Sequence, residues 1–341
     1  MQQLPHRERT WVMVLAGGGA DPHESQKDQA INPDRNQFGA LLGRQSLLNM
    51  TLSRARSIVP GERICLVIDR DQKRYWSGSL AKLSHGNVIV QPSNRGSAVA
   101  MLLAVLAILE RDPWARIVAM PSDHYVDDEP ALAGSLLDAV TPTAQTRNNV
   151  VLIGIKPEEA DPDLGYIVPG RWFEDGTRSV QRVVNSSGKA LARELVARGA
   201  LCDSSIVAAR AVVLLSVLRA RMPDLVDQME TALAQSDSPN VRVDALTKLY
   251  FRLPFVDFSH VIGKGAAPEC RVITSRSCGW SDLGTARRVD AVMRRRQLVG
   301  RRAKASGHAR QVAPADVPQI IANGFAAPRG NMAAMARKTP T

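Results

Sequence analysis

The chain has 341 residues, 45% apolar but only 4% aromatic, enough to bury a core built mainly from Leu, Val, Ile and Ala. No apolar run approaches the ~18 residues that a membrane span requires, and Met1 to Arg9 is polar with no leader-like apolar stretch, so a cytoplasmic protein is expected. The net charge of +11 is concentrated at one end: twelve Lys or Arg against two Asp lie between Ala286 and Thr341, leaving the remainder near +1. Such a basic end segment reads as a solvated extension, and no nucleic-acid partner is expected.

In chain order, the first signal is the apolar run from Trp11 to Ala16, stopped by Gly17, Gly18 and Gly19. It predicts a buried parallel strand feeding a glycine loop. Helical spacing follows over Ser46 to Val59, then a strand from Arg63 to Asp69 and a helix from Tyr75 to Leu83. Asn87 to Gln91 reads as a strand, Ser97 to Leu109 as an Ala-rich helix, and Arg116 to Met120 as a strand ending at Pro121-Ser122-Asp123-His124. A strand over Val150 to Ile155 and a helix around Lys189 to Arg198 continue the alternation. Strands alternating with helices predict βαβ units: an α/β, Rossmann-like, mostly parallel sheet flanked by helices. One domain is expected over 11–298, after a short N-terminus at 1–10 and before a basic tail without fixed structure at 299–341.

Cys65, Cys202, Cys270 and Cys278 form no Cys-x-x-Cys pair and have no His at zinc-ligand spacing, so free buried thiols are expected. In an open α/β sheet, ligands bind beyond the carboxyl ends of strands. Three polar clusters follow strands here: Gly17–Gly19, Gln91-Pro-Ser-Asn-Arg-Gly96 and Pro121–His124. The second precedes a helix whose first amides offer an anion site. The glycine loop matches neither the dinucleotide fingerprint nor a P-loop.

Six segments, in order, resemble the mannose-1-phosphate guanylyltransferase family over most of residues 11–290. They are Leu15-Ala16-Gly17-Gly18; Gln37-Phe38 with Leu41-Leu42-Gly43; Gln91-Pro-Ser-Asn94-Arg95-Gly96-Ser-Ala98; Pro121-Ser-Asp123-His124; Gly165-Tyr166-Ile167; and Gly279-Trp280-Ser-Asp282-Leu-Gly-Thr285. The resemblance implies a nucleotidyltransferase fold in which a sugar 1-phosphate attacks the α-phosphorus of GTP, or another nucleoside triphosphate, releasing pyrophosphate. It implies Leu15, Ala16, Gly17, Gly18, Gly19, Gln91, Asn94, Arg95 and Gly96 on the nucleotide, Gly165, Tyr166 and Asp203 on the sugar phosphate, and Mg²⁺ on Asp123 and Asp282. A homo-oligomer is left open. A nucleotide-sugar glycosyltransferase is the weaker alternative, because Asp127-Asp128-Glu129 lacks Asp-x-Asp spacing.

The chain departs from that family at charged positions. Pro22 stands where the family has a triphosphate-gripping Arg, and Arg35-Asn36 where it has Pro-Lys. Asn185-Ser186-Ser187 replaces Glu-Lys-Pro, and Cys202-Asp203-Ser204 replaces Trp-Asn-Ser. Arg35 is the nearest substitute cation for phosphoryl-type transfer and is taken as catalytic together with Asp123. Two expectations stand: an active, divergent enzyme, or a degenerate relative that binds nucleotide or sugar phosphate as a partner or regulator.

Overall fold

The computed structural model describes residues 7–17, 46–72, 83, 85–145, 149–184, 188–234, 239–263 and 269–305. All but the last residue of the helix expected over Tyr75 to Leu83 lies outside them. Strands β1 (Thr10–Leu15), β2 (Ile64–Asp69), β3 (Val88–Gln91) and β4 (Arg116–Pro121) pair in parallel, in the order β3-β2-β1-β4. Strand β1 reads as continuous apolar sequence because both its faces are covered. Trp11 and Met13 meet one cluster with Cys65, Val67 and helix α1 (Ser97–Arg111), while Val12 and Val14 meet the opposite cluster. That second layer contains α2 (Leu47–Ile58) and α3 (Glu129–Gln145). Helix α2 starts where Ser46 Oγ accepts the Asn49 N–H at 3.2 Å, satisfying one of the free amides of the first turn.

The remaining strands are β5 (Val150–Ile155), β6 (Tyr166–Trp172), β7 (Arg178–Val184), β8 (Leu201–Arg210) and β9 (Cys270–Thr274). They extend the sheet as β4-β8-β5-β9-β7-β6, and β6 pairs again with β8, so these five strands close on themselves. Here the sheet is mixed: β8 runs antiparallel to β4 and β5, and β6 and β7 form a hairpin. The hairpin turn uses Gly176 at φ 78° and needs no crossover helix. The polar residues Asp203, Ser204 and Ser205 inside β8 hide its strand pattern, which is why the sequence suggested a more parallel sheet.

Helices α4 (Gly188–Ala197), α5 (Ala211–Arg221), α6 (Pro223–Ala234), α7 (Pro239–Arg252) and α8 (Phe258–Gly263) cover this half. Helix α9 (Ala286–Ala305) is basic yet packed, with Val292 fully buried against Leu47, Tyr125 and Leu283. It continues beyond residue 298, where the folded part was expected to end; residues 306–341 lie outside the described part. All four cysteines are free and buried, and burial pushes the Cys65 and Cys202 thiols up to about 12. Among the described residues no helix is long and apolar enough to cross a membrane.

Candidate functional site

The carboxyl ends of β1 to β4 finish along one edge, because Leu15 is in register with Val67 on one side and Pro121 on the other. The Ala16 N–H bonds the Val67 carbonyl at 2.8 Å, and the Ser122 N–H bonds the Leu15 carbonyl at 3.1 Å. Gly17 follows, and a Cβ there would run into both Gln91 and Asp69. Those two side chains form the floor beneath the glycine turn. Gln91 is fully buried, donates from Nε2 to Asp69 Oδ1 at 2.5 Å, and accepts at Oε1 from the Tyr250 hydroxyl at 3.3 Å. Its side chain thus supports the loop from below. Gly18, Gly19, Pro22, Arg35, Asn36 and the segment 37–43 lie outside the described residues.

The Asn94-Arg95-Gly96 turn is built for tight packing. Asn94 Oδ1 accepts the Gly96 N–H at 2.9 Å. Gly96 has φ 87°, and a Cβ would collide with the Val256 backbone, so two requirements converge on glycine. Arg95 turns to the end of α7, donating to the Tyr250 carbonyl at 2.7 Å and the Phe251 carbonyl at 3.5 Å. A guanidinium is favourable at a helix C-terminus. The start of α1, expected to be open to an anion, is already capped. Asp257 Oδ1 accepts the Ser97 N–H at 3.2 Å and its hydroxyl at 3.1 Å, and the Val256 carbonyl accepts the Ala98 N–H at 3.0 Å. The chain's own carboxylate takes the place foreseen for a ligand, because Asp257 is distant in sequence and carries no local motif.

The third cluster meets the Trp280 segment. Tyr125 and Ser281 exchange backbone hydrogen bonds at 2.8 and 2.9 Å, which brings Asp123, His124, Trp280 and Asp282 to one corner. The Asp123 side chain is 48% exposed, yet its Oδ1 is buried with no hydrogen-bond partner. Burial pushes this carboxyl up to about 6. His124 is buried, accepts at Nδ1 from Trp280 Nε1 at 3.2 Å, and meets the indole edge-on at 5.1 Å. Burial draws its pKa down to about 4, against the raising field of Asp282 and with the lowering field of Arg54. The imidazole is therefore neutral near pH 7, with its proton on Nε2, 3.7 Å from Asp123 Oδ1.

Asp282 is differently placed. Arg288 Nε lies 2.6 Å from its Oδ1 and Nη2 lies 3.2 Å from its Oδ2, while Oδ1 also accepts the Gly284 N–H at 3.1 Å. Arg288 Nη1 reaches Asp161 Oδ2 at 3.0 Å, joined there by Arg287 Nη2 at 2.9 Å. Of the two aspartates expected to share a metal, one is half-exposed with no arginine or lysine paired to it among the described residues, and the other is ion-paired. Among the described residues, no three His, Cys, Asp or Glu side chains gather as a metal cluster.

On the sugar side, the Gly165 carbonyl accepts the Asp203 N–H at 2.9 Å. Asp203 Oδ1 accepts the Ser205 N–H at 2.8 Å and holds Ser205 at φ 53° on a bulge of β8 opposite β5. Burial raises the Asp203 carboxyl above its ordinary value. Tyr166 is fully buried, and its hydroxyl both donates to the Asp161 carbonyl and accepts the Asp161 N–H, each at 2.9 Å. Its side chain positions Asp161 instead of facing a ligand. Asn185, Ser186 and Ser187 lie outside the described residues. The sequence reading missed Asp161, Asp257 and Arg288; Arg288 follows Asp282 by six residues, across the start of α9.

Residues 36–295 match the nucleotidyl transferase family. The chain is 26% identical over 254 residues to the alginate biosynthesis protein AlgA of Pseudomonas fluorescens, covering 73% of this chain and 51% of that one. It is also 26% identical over 284 residues to a mannose-1-phosphate guanylyltransferase of Salmonella muenchen, covering 80% and 58%. The chain thus spans about half the length of the curated relatives it matches. A Thermus thermophilus structure described as a mannose-1-phosphate geranyltransferase superposes with a TM-score of 0.66 at 24% identity, over 81% of this chain and 76% of that one, a likeness of fold.

Proposed function

The chain belongs to the nucleotidyl transferase family, and from that premise we propose that it joins GTP, or another nucleoside triphosphate, to mannose 1-phosphate or a related sugar 1-phosphate. The sugar-phosphate oxygen forms a bond to the α-phosphorus while the bond to the departing pyrophosphate breaks. The observation that carries this reading is the half-exposed Asp123 carboxylate at the carboxyl edge that also holds Gly17. Such a carboxylate fits a hard divalent cation, which needs one or two carboxylates and takes its other ligands from water and substrate phosphates. Mg²⁺ bound at Asp123 would supply positive charge for the transferring phosphoryl group. The neutral His124 lies beside that carboxylate, its Nε2 3.7 Å from Asp123 Oδ1.

In this reading the turn at Leu15, Ala16 and Gly17 lines the triphosphate, with Gln91 and Asp69 fixing its height. Asn94, Arg95 and Gly96 shape the base side; Gly165 and Asp203 serve the sugar phosphate. Arg35 is the proposed phosphate cation. A second reading, nucleotide binding without turnover, is favoured by one observation: Arg95, the amides of α1 and Asp282 are all engaged within the protein.

A melting-temperature panel of nucleoside triphosphates and sugar 1-phosphates with Mg²⁺ tests the binding that both readings require. A ligand selective for the native state at 100 times its Kd stabilises it by about 2.7 kcal/mol. GTP and mannose 1-phosphate should each raise the melting temperature. No response to any nucleotide would overturn the proposal.

A further inference from the structure

We infer that Arg288 is the fixed cation of Asp282, so that a divalent ion in this corner is held by Asp123 and is not shared with Asp282. The inference deepens the nucleotidyl-transfer reading and rests on it only for what the ion does.

Both oxygens of Asp282 are engaged: Oδ1 by Arg288 Nε and the Gly284 N–H, Oδ2 by Arg288 Nη2. Arg288 is itself locked. Its side chain is 12% exposed, and its far nitrogen meets Asp161, a side chain 6% exposed that also receives Arg287. Asp161 in turn is clamped at its backbone by the Tyr166 hydroxyl. The guanidinium therefore belongs to a network reaching from α9 to β6, not to a surface pair free to rearrange. A guanidinium does not give up its proton under protein conditions, so it cannot yield the carboxylate by titrating. Removing its partner would leave a mostly buried charge short of one contact, and a divalent ion placed on Asp282 would face that charge at ion-pair range. Asp123 offers the opposite: a half-exposed carboxylate that no arginine or lysine among the described residues pairs. The positive charge expected beside Asp282 is thus supplied by the chain, at ion-pair distance from Nε and through one hydrogen bond from Nη2.

Mn²⁺ titrated into the full chain without nucleotide, with free ion followed by electron paramagnetic resonance, tests this. Asp123→Asn should weaken binding about tenfold or more, the scale seen when a metal site loses a supporting group. Asp282→Asn should stay within about twofold of wild type, as an independent site does. Arg288→Gln should tighten binding about tenfold by freeing a carboxylate, and adding Asp282→Asn to it should remove the gain. If Arg288→Gln does not fold, the comparison of Asp123→Asn with Asp282→Asn decides. Equal weakening by both Asn variants overturns the inference, as does wild-type protein that binds no Mn²⁺ while Arg288→Gln also binds none. Failure to release pyrophosphate from GTP and mannose 1-phosphate would defeat the functional reading and leave this binding pattern standing.

Discussion

Asp123 carries two properties that pull against each other, and metal-free protein should reveal them. In the unfolded chain its carboxyl ionises near 3.8, whereas burial raises it to about 6 in the native state. Between those values the native state holds a proton that the unfolded state has released. This group's contribution to stability is therefore greatest below 3.8, declines as the pH rises to about 6, and stays low above. In a metal chelator, Asp123→Asn should melt higher than wild type at pH 7, with the difference shrinking as the pH is lowered towards about 4.5. Turnover should fall sharply in the same variant, a trade of stability for function. An Asn variant that melts lower than wild type at pH 7 would show that solvent at the exposed half of the side chain outweighs the burial of Oδ1. Its neighbour His124 is a packed residue, buried against Trp280. The engagement of Asp282 was not legible, because a cation six residues on becomes a partner only once α9 starts at Ala286.

At the scale of elements, two contacts hold the site's frame. Arg54 on α2 meets Glu129 at the start of α3 with two nitrogens, at 2.6 and 2.9 Å, and the Arg side chain is 1% exposed. Glu129→Gln leaves a buried guanidinium without its counter-charge and should cost about 3 kcal/mol in denaturant unfolding. A loss below about 0.5 kcal/mol, the scale of a surface pair, would mean that solvent reaches Arg54. Helix α9 is the second contact. Composition marks it as tail, yet Val292 is fully buried and Arg287, Arg288 and Arg295 meet acidic side chains of the main body. Deleting residues 306–341 should therefore leave the melting temperature nearly unchanged. Deleting residues 286–341 should lower it by several degrees, since burying one Val alone is worth about 1.5–3 kcal/mol. Equal effects of the two deletions would show that α9 adds nothing. The apolar period of α9 was readable in Val289 and Val292, but dense arginine masked it.

For the whole molecule, the parallel half was legible because both faces of β1 and β2 are covered, which writes unbroken apolar runs into the sequence. The antiparallel half was less so: β8 carries a polar bulge, and β6 and β7 are partly exposed. The grouping of Gly17, Gln91 and Asp123 at one edge followed from strand order. What sequence could not supply was which polar groups the fold consumes internally, as with Gln91, Arg95 and the α1 amides, since their partners lie far along the chain. That distinction governs whether the site turns over. The most direct measurement is pyrophosphate release by the full chain from GTP and mannose 1-phosphate with Mg²⁺, beside Asp123→Asn, with GDP-mannose followed as the second product. Wild type should release pyrophosphate only when both substrates are present, at a rate within the common enzyme range of about 1–10³ s⁻¹, and the variant should lose at least about a hundredfold. Nucleotide binding without any pyrophosphate release from this or other sugar 1-phosphates would contradict the catalytic reading and leave a binding protein.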